Sequence, residues 1–361
     1  MSRVLRHSGK IARFGYTPNH EHAGELRIKT ARQEMALRML ASAPDDNGDR
    51  YTYRMLVACL QASALTQWLV HDGAYTRLNS YDQNQSNACT GHGRSMQIAI
   101  EDATNIVTTN QGEIFKAMPA PEIQYPFGLM IDGTLGHDNG CSGSGIVEGS
   151  EKYGTWYELN VDGDTDELSE GNWAGSPDIP TWYQRIEQFA SHGVPTAIAA
   201  AASQHKSASH ANVTTVQQAW AAIGSGYPVL ICSNIAFEGV RNDEGVIAMT
   251  GHDWPHCMVI SSRRTSAKYG RLYLVHQSWE TDWTSGPYYL DQPAGSFWIR
   301  ESDLAQILVC HWDRRTVVRD CWTSTGHAGF VARGQQLPVW VKRAECKSPI
   351  AEYDSEVLCC A

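Results

Sequence analysis

The apolar residues of this chain recur at helical spacing over its first half and fall into short strand-like blocks over its second. That change of period constrains the fold more than any single motif does. Ala31 to Ala43 reads as a helix, with Met35, Ala36, Met39 and Leu40 on one side and Pro44-Asp-Asp as its stop. Tyr53 to Val70 reads as a second, apolar helix ended by His-Asp-Gly. Met96, Ile98, Ile100, Ala103 and Ile106 mark a third, entered at Cys89. Residues 133–145 are Gly-rich, and Ile146 to Tyr153 is a short helix closed by Gly154. Thr214 to Ile223 is helical, after which Gly224-Ser-Gly-Tyr-Pro introduces the strand Val229 to Ser233. Further short strands are expected over Cys257 to Ser261, Arg271 to Val275, Pro287 to Leu290 and Phe297 to Arg300. Helices first and strands second is an α+β organisation.

Composition narrows the function. The 361 residues are 42% hydrophobic and 19% charged, enough for a core and too little charge for a disordered chain. A net charge of -10 disfavours nucleic acid as a partner. No run approaches the ~18 apolar residues of a membrane span. The first 30 residues, basic and without clear periodicity, lack a secretory apolar region. With ten cysteines and no such leader, the expectation is a cytoplasmic protein with reduced thiols. Cys232 and Cys257 sit in apolar runs, where Cys packs as a small hydrophobe. No cofactor or metal is expected: Cys359-Cys360 lacks Cys-x-x-Cys spacing. Asp162-Gly-Asp164-Thr-Asp166 lacks the Gly and Glu of a calcium loop and reads as a solvated acidic segment. The basic residues Arg314, Arg315, Arg319, Lys342, Arg343 and Lys347 read as a solvated face or a docking segment.

The chemistry concentrates in three segments. Tyr81-Asp-Gln83-Asn-Gln-Ser-Asn-Ala-Cys89-Thr-Gly-His-Gly places a thiol at a helix N-terminus, where the dipole and unpaired N–H groups favour the thiolate. The Cys89 N–H and the Gln83 amide can converge on the oxygen of a tetrahedral intermediate. Gly91 and Gly93 let this helix pack closely on a neighbour. His92, a turn on, reads as a packing or surface residue. In Trp254-Pro255-His256-Cys-Met-Val-Ile a His enters an apolar strand, placed to share the thiol proton. His252, followed by Asp253, is the rival base. The third segment is Val275-His-Gln277-Ser-Trp279-Glu-Thr-Asp-Trp283, in which alternation points His276 away from Gln277.

Taken in order, with Gly140-Cys-Ser-Gly143-Ser144-Gly145 between the first two, these segments resemble the papain-like cysteine peptidases (family C1), most nearly their bacterial and phage branch. The resemblance runs from about Leu78 to Leu304. It implies a papain-like fold, with a helical left half, a strand-rich, β-barrel-like right half and the active-site cleft between them. It also implies roles: Cys89 as nucleophile, His256 as general base and later acid, Gln83 in the oxyanion hole and Gln277 orienting the imidazole. Trp279 would shield that hydrogen bond, and Gly143, Ser144 and Pro255 would border the substrate. The family's orienting residue is normally Asn, one methylene shorter than Gln277. The usual Cys three positions before the nucleophile is Ser86, so Cys141 lacks its customary disulfide partner. His256 also follows Cys89 at more than the roughly 130–150 residues of the papain pattern.

The expected division is an N-terminal extension over 1–50, a pro-segment or docking arm. A helical subdomain over 51–210 carries the nucleophile, a strand-rich subdomain over 211–324 carries His256 and Gln277, and a tail covers 325–361. The resemblance implies hydrolysis of polypeptide substrates through a Cys89 thioester. Two other readings stay open: a weak or inactive papain-fold structural or binding protein, such as a phage particle or assembly component docked through its extensions, and a cell-wall peptide hydrolase. A phage origin would place it in the virion.

Overall fold

The computed structural model describes residues 4–7, 10–13, 16, 48–63, 65–109, 113–115, 117–137, 140–158, 182–251, 254–311, 317–324 and 341–342. The helix expected over 31–43, the acidic loop over 160–180, the rival base at 252–253 and nearly all of the tail lie outside these residues.

Eight helices are described: α1 (Tyr53–Ala62), α2 (Cys89–Thr109), α3 (Pro121–Asp132), α4 (Gly143–Lys152), α5 (Trp182–His192), α6 (Thr196–Ala202), α7 (Val216–Gly224) and α8 (Glu301–Ile307). One large antiparallel sheet collects β1 (Arg50–Tyr51), β2 (His210–Asn212), β3 (Val229–Ser233), β4 (His256–Ser266), β5 (Gly270–His276), β6 (Phe297–Arg300) and β7 (Asp320–Ser324). Its order is β6-β5-β4-β3-β7-β2, with β1 added beside β4.

Alternation along the central strands explains the layering. Leu230, Cys232, Cys257, Val259, Leu272 and Leu274 face a core shared with α1, α2 and α4. Val229, Ile231, Met258, Ile260, Tyr273 and Val275 face a second core with α7 and α8. A strand apolar on both sides is what burial between two helical layers requires. The same burial corrects the expected barrel-like half. Among the described residues the sheet is open, ending at β6 and β2, because helices rather than the sheet itself cover its faces.

Two elements differ from expectation. The helix begun at Tyr53 stops at Ala62, and Thr66–Trp68 forms a single 3-10 turn before the hairpin Leu69–Asp72/Tyr75–Leu78. The turn glycine Gly73 has φ +58°, which sets the hairpin where a helix would have run on. Pro287 to Leu290 is irregular rather than a strand. Pro287 has no N–H for a ladder, and Leu290 turns back at φ +51°. In the basic N-terminal stretch, Val4–His7 and Lys10–Arg13 pair as a hairpin. Among the described residues no helix is long and apolar enough to cross a membrane.

Candidate active site

Cys89 is the first residue of α2 and is fully buried. The helix reaches it without a side-chain spacer on either flank. A Cβ at Gly91 would lie 2.8 Å from Pro121 O and from Tyr125 Cβ of α3, and one at Gly93 would lie 3.3 Å from Cys257 Sγ of β4. The two glycines thus let α2 press against α3 on one side and against the strand that begins at His256 on the other.

The loop before Cys89 is fastened to the third segment. Gln83 N–H donates to Ser278 O (2.8 Å), and Ser278 Oγ donates to Gln83 Oε1 (2.7 Å). Gln83 Nε2 donates to Ser86 O (2.9 Å), and Asp82 pairs with Trp279 as an antiparallel bridge. Trp279 in turn stacks on the His256 ring. Three segments far apart in sequence therefore meet around one point.

The electrostatics of that point are set by dryness. His256 is 1% exposed, and neither ring nitrogen has a hydrogen-bond partner among the described residues. Burial, with a smaller contribution from the charge of His92, pushes its pKa down to about 3. The imidazole is therefore neutral at pH 7. Gln277 is buried, its Oε1 has no partner, and its Nε2 reaches only Glu280 O at 3.4 Å. The amide–imidazole hydrogen bond implied by the resemblance is not formed here.

His92 belongs to this site, which the sequence did not announce. It is buried, its Nδ1 contacts Ala88 O at 2.8 Å, and burial takes its pKa to about 4. Its position one turn after Cys89, on the same helix face, was the available signal. With Tyr81, Cys257, Gln277 and Ser278 it lines a cavity of about 10 Å³, enough for roughly one water.

The remaining nominees are placed as follows. Pro255 is half-buried beside His256. Gly143 and Ser144 are buried in the first turn of α4, where Gly143 N–H donates to Asp320 Oδ2 at 2.8 Å and Ser144 Oγ meets Ser142 Oγ at 3.1 Å. Just before them Cys141 is bridged in parallel by Tyr16, itself buried. His276, expected to point away from Gln277, lines the same cavity with it, because the strand ends at His276 and Gln277 lies beyond it. Its Nε2 contacts Ser261 Oγ at 2.6 Å. Among the described residues no group of three or more His, Cys, Asp or Glu could hold a metal ion.

No family model matches the chain, and no curated protein matches it either. Among solved structures, xylellain, a cysteine protease from Xylella fastidiosa, superposes with a TM-score of 0.51 at 15% identity, covering 87% of this chain and 96% of that one. Procathepsin B S9 from Trypanosoma congolense has a TM-score of 0.45 at 9% identity, over 87% of this chain and 86% of that one. The proform of the ragweed pollen protease Amb a 11 has a TM-score of 0.43 at 13% identity, over 82% and 75%. In fold, the chain is similar to the papain-like cysteine proteases.

Proposed function

We propose that this chain is a papain-like cysteine peptidase, acting on polypeptides through a thioester at Cys89. The observation that carries the reading is the fastening of the Gln83–Cys89 segment onto Ser278 while Trp279 covers His256. A neutral imidazole is the form a general base must have. His256 would take the thiol proton as the Cys89 sulfur attacks the carbonyl carbon. The Cys89 N–H and the Gln83 amide would stabilise the oxyanion. His256 would then return the proton to the leaving amine, and water would hydrolyse the thioester. Pro255, Gly143 and Ser144 are assigned to the substrate wall.

The closed state of the site favours a second reading, a papain-fold protein kept for structure or binding. Cys89 and His256 are both buried, and His256 and Gln277 lack the bond that would align them. A thiol-directed epoxide separates the two. A peptidase gives selective labelling of Cys89 that is lost in Cys89→Ala and strongly slowed in His256→Ala. Labelling of Cys89 no faster than that of the other cysteines, and indifferent to His256, supports the binding protein. The Tyr16–Cys141 bridge supports treating the N-terminal extension as a pro-segment, because it engages the stretch assigned to substrate. On that reading, Tyr16→Ala accelerates the labelling.

A further inference from the structure

Two buried thiols outside the proposed reaction face each other across the centre of the sheet. Cys232 of β3 and Cys257 of β4 are directly opposed in the antiparallel register. They are 0% and 1% exposed, and their sulfur atoms lie 2.8 Å apart. Directly opposed residues of an antiparallel pair have Cα atoms about 4.5 or 5.5 Å apart. Both values fall inside the roughly 4.4–6.8 Å span of disulfides, so the spacing of the strands is compatible with joining these sulfurs.

The surroundings make the pair consequential. Cys257 directly follows His256, and its Sγ lies under Gly93 of the helix that Cys89 begins. Cys232 Sγ lies under Gly143, 2.9 Å from where a Cβ would stand, at the start of α4. A bond between them would tie the strand carrying His256 to its neighbour at the point where both helices rest on the sheet.

We propose that Cys232 and Cys257 form a dithiol–disulfide pair, oxidised by hydrogen peroxide and reduced by small thiols. In the first step the Cys257 thiol loses its proton, the thiolate attacks one peroxide oxygen, and the O–O bond breaks; the departing hydroxide takes up that proton, leaving a sulfenic acid and water. In the second the Cys232 sulfur attacks the sulfenic sulfur, forming the S–S bond and breaking S–O, with loss of a second water. The two thiols are oxidised by two electrons, and the peroxide is reduced to two waters. Burial pushes the Cys257 thiol up to about 12 and raises that of Cys232 well above the ordinary thiol range. Oxidation therefore proceeds through brief local openings and is faster at alkaline pH. Cys89 and Cys141 influence the Cys257 thiol electrostatically and are the competitors for pairing that the test must distinguish.

The test uses the full chain, reduced, desalted and exposed to hydrogen peroxide, then unfolded in an alkylating agent and digested without reductant. Mass spectrometry is expected to find one peptide pair joined through Cys232 and Cys257 and released by dithiothreitol. The linkage is expected unchanged in Cys89→Ala, which removes the peroxide-sensitive candidate nucleophile. Oxidation should also raise the melting temperature by a few degrees, a shift absent from Cys232→Ala. Recovery of both residues as alkylated thiols, or pairing of Cys257 with Cys141 or Cys89, overturns the proposal. None of these readouts depends on peptidase activity.

Discussion

The imidazole of His256 lies against the indole of Trp279, with ring centroids 4.2 Å apart and 23° between the planes. Trp254 and Trp283 meet the same indole edge-on at 5.1 and 5.5 Å. The aromatic wall covers the imidazole and leaves it dry. Removing the indole opens a cavity and wets the ring together. Trp279→Ala is therefore expected to lose about 3–5 kcal/mol of stability, read from urea unfolding. Trp279→Phe, which keeps a ring to stack, should lose clearly less. Equal losses in the two variants would show that stacking on His256 contributes nothing.

Acid should destabilise this protein at an unusually mild pH. An unfolded His titrates near 6.5. Burial lowers His256 to about 3, with His92 adding to the effect, and burial alone lowers His276 to about 3. Between these values the unfolded state binds the protons that the folded state refuses. The stability is therefore complete above about pH 6.5 and falls as the pH drops towards 3, by roughly 1.4 kcal/mol per pH unit for each such group. The urea midpoint should fall between pH 7 and pH 5. His276→Asn, outside the proposed chemistry, should flatten the fall. A midpoint constant over that range would contradict the buried neutral state of these rings.

Gln277 is expected to behave unlike an orienting residue. Its Oε1 bonds nothing, and His256 has no bond to lose. Gln277→Ala should therefore slow epoxide labelling of Cys89 by less than about tenfold, well under the effect of replacing His256. Gln277→Asn, which restores the usual residue of the resembled family, should accelerate labelling. A loss in Gln277→Ala matching that in His256→Ala would mean that the bond forms when the site is occupied.

These expectations separate what was legible in the sequence from what was not. Val229–Ser233 and Phe297–Arg300 were readable to the residue, because a short apolar block between turn signals admits little else. The helix from Tyr53 was overrun into Leu69 and Val70 because apolar content alone cannot distinguish a continuing helix from a strand. At the site, local motifs nominated Cys89, His256 and Gln277, but contacts across the fold were hidden from them. Nothing local indicates that Ser278 holds Gln83 or that Gln277 stops short of His256. Arg94 was equally hidden. This charged residue of α2 is fully buried and bonded to Ser150, Gln97, Ser324 and Ser207, partners drawn from across the chain.

The closest backbone approach beside the nucleophile supplies the last expectation. Gly91, two residues into α2, faces α3 where an added methyl would lie 2.8 Å from both Pro121 O and Tyr125 Cβ, and 3.1 Å from Tyr125 N. These contacts are mostly backbone, so no flexible side chain can swing away to make room. Gly91→Ala must push the two helices apart or tilt the first turn of α2. Helix propensity would favour Ala by about 1 kcal/mol, whereas overpacking of a dense interior costs roughly 1–3 kcal/mol. The clash should prevail and give a net loss of stability. Because α2 also positions Cys89, epoxide labelling should slow at temperatures where the variant remains folded. A Gly91→Ala protein as stable as the parent, or more so, would mean that α2 and α3 are not packed this closely.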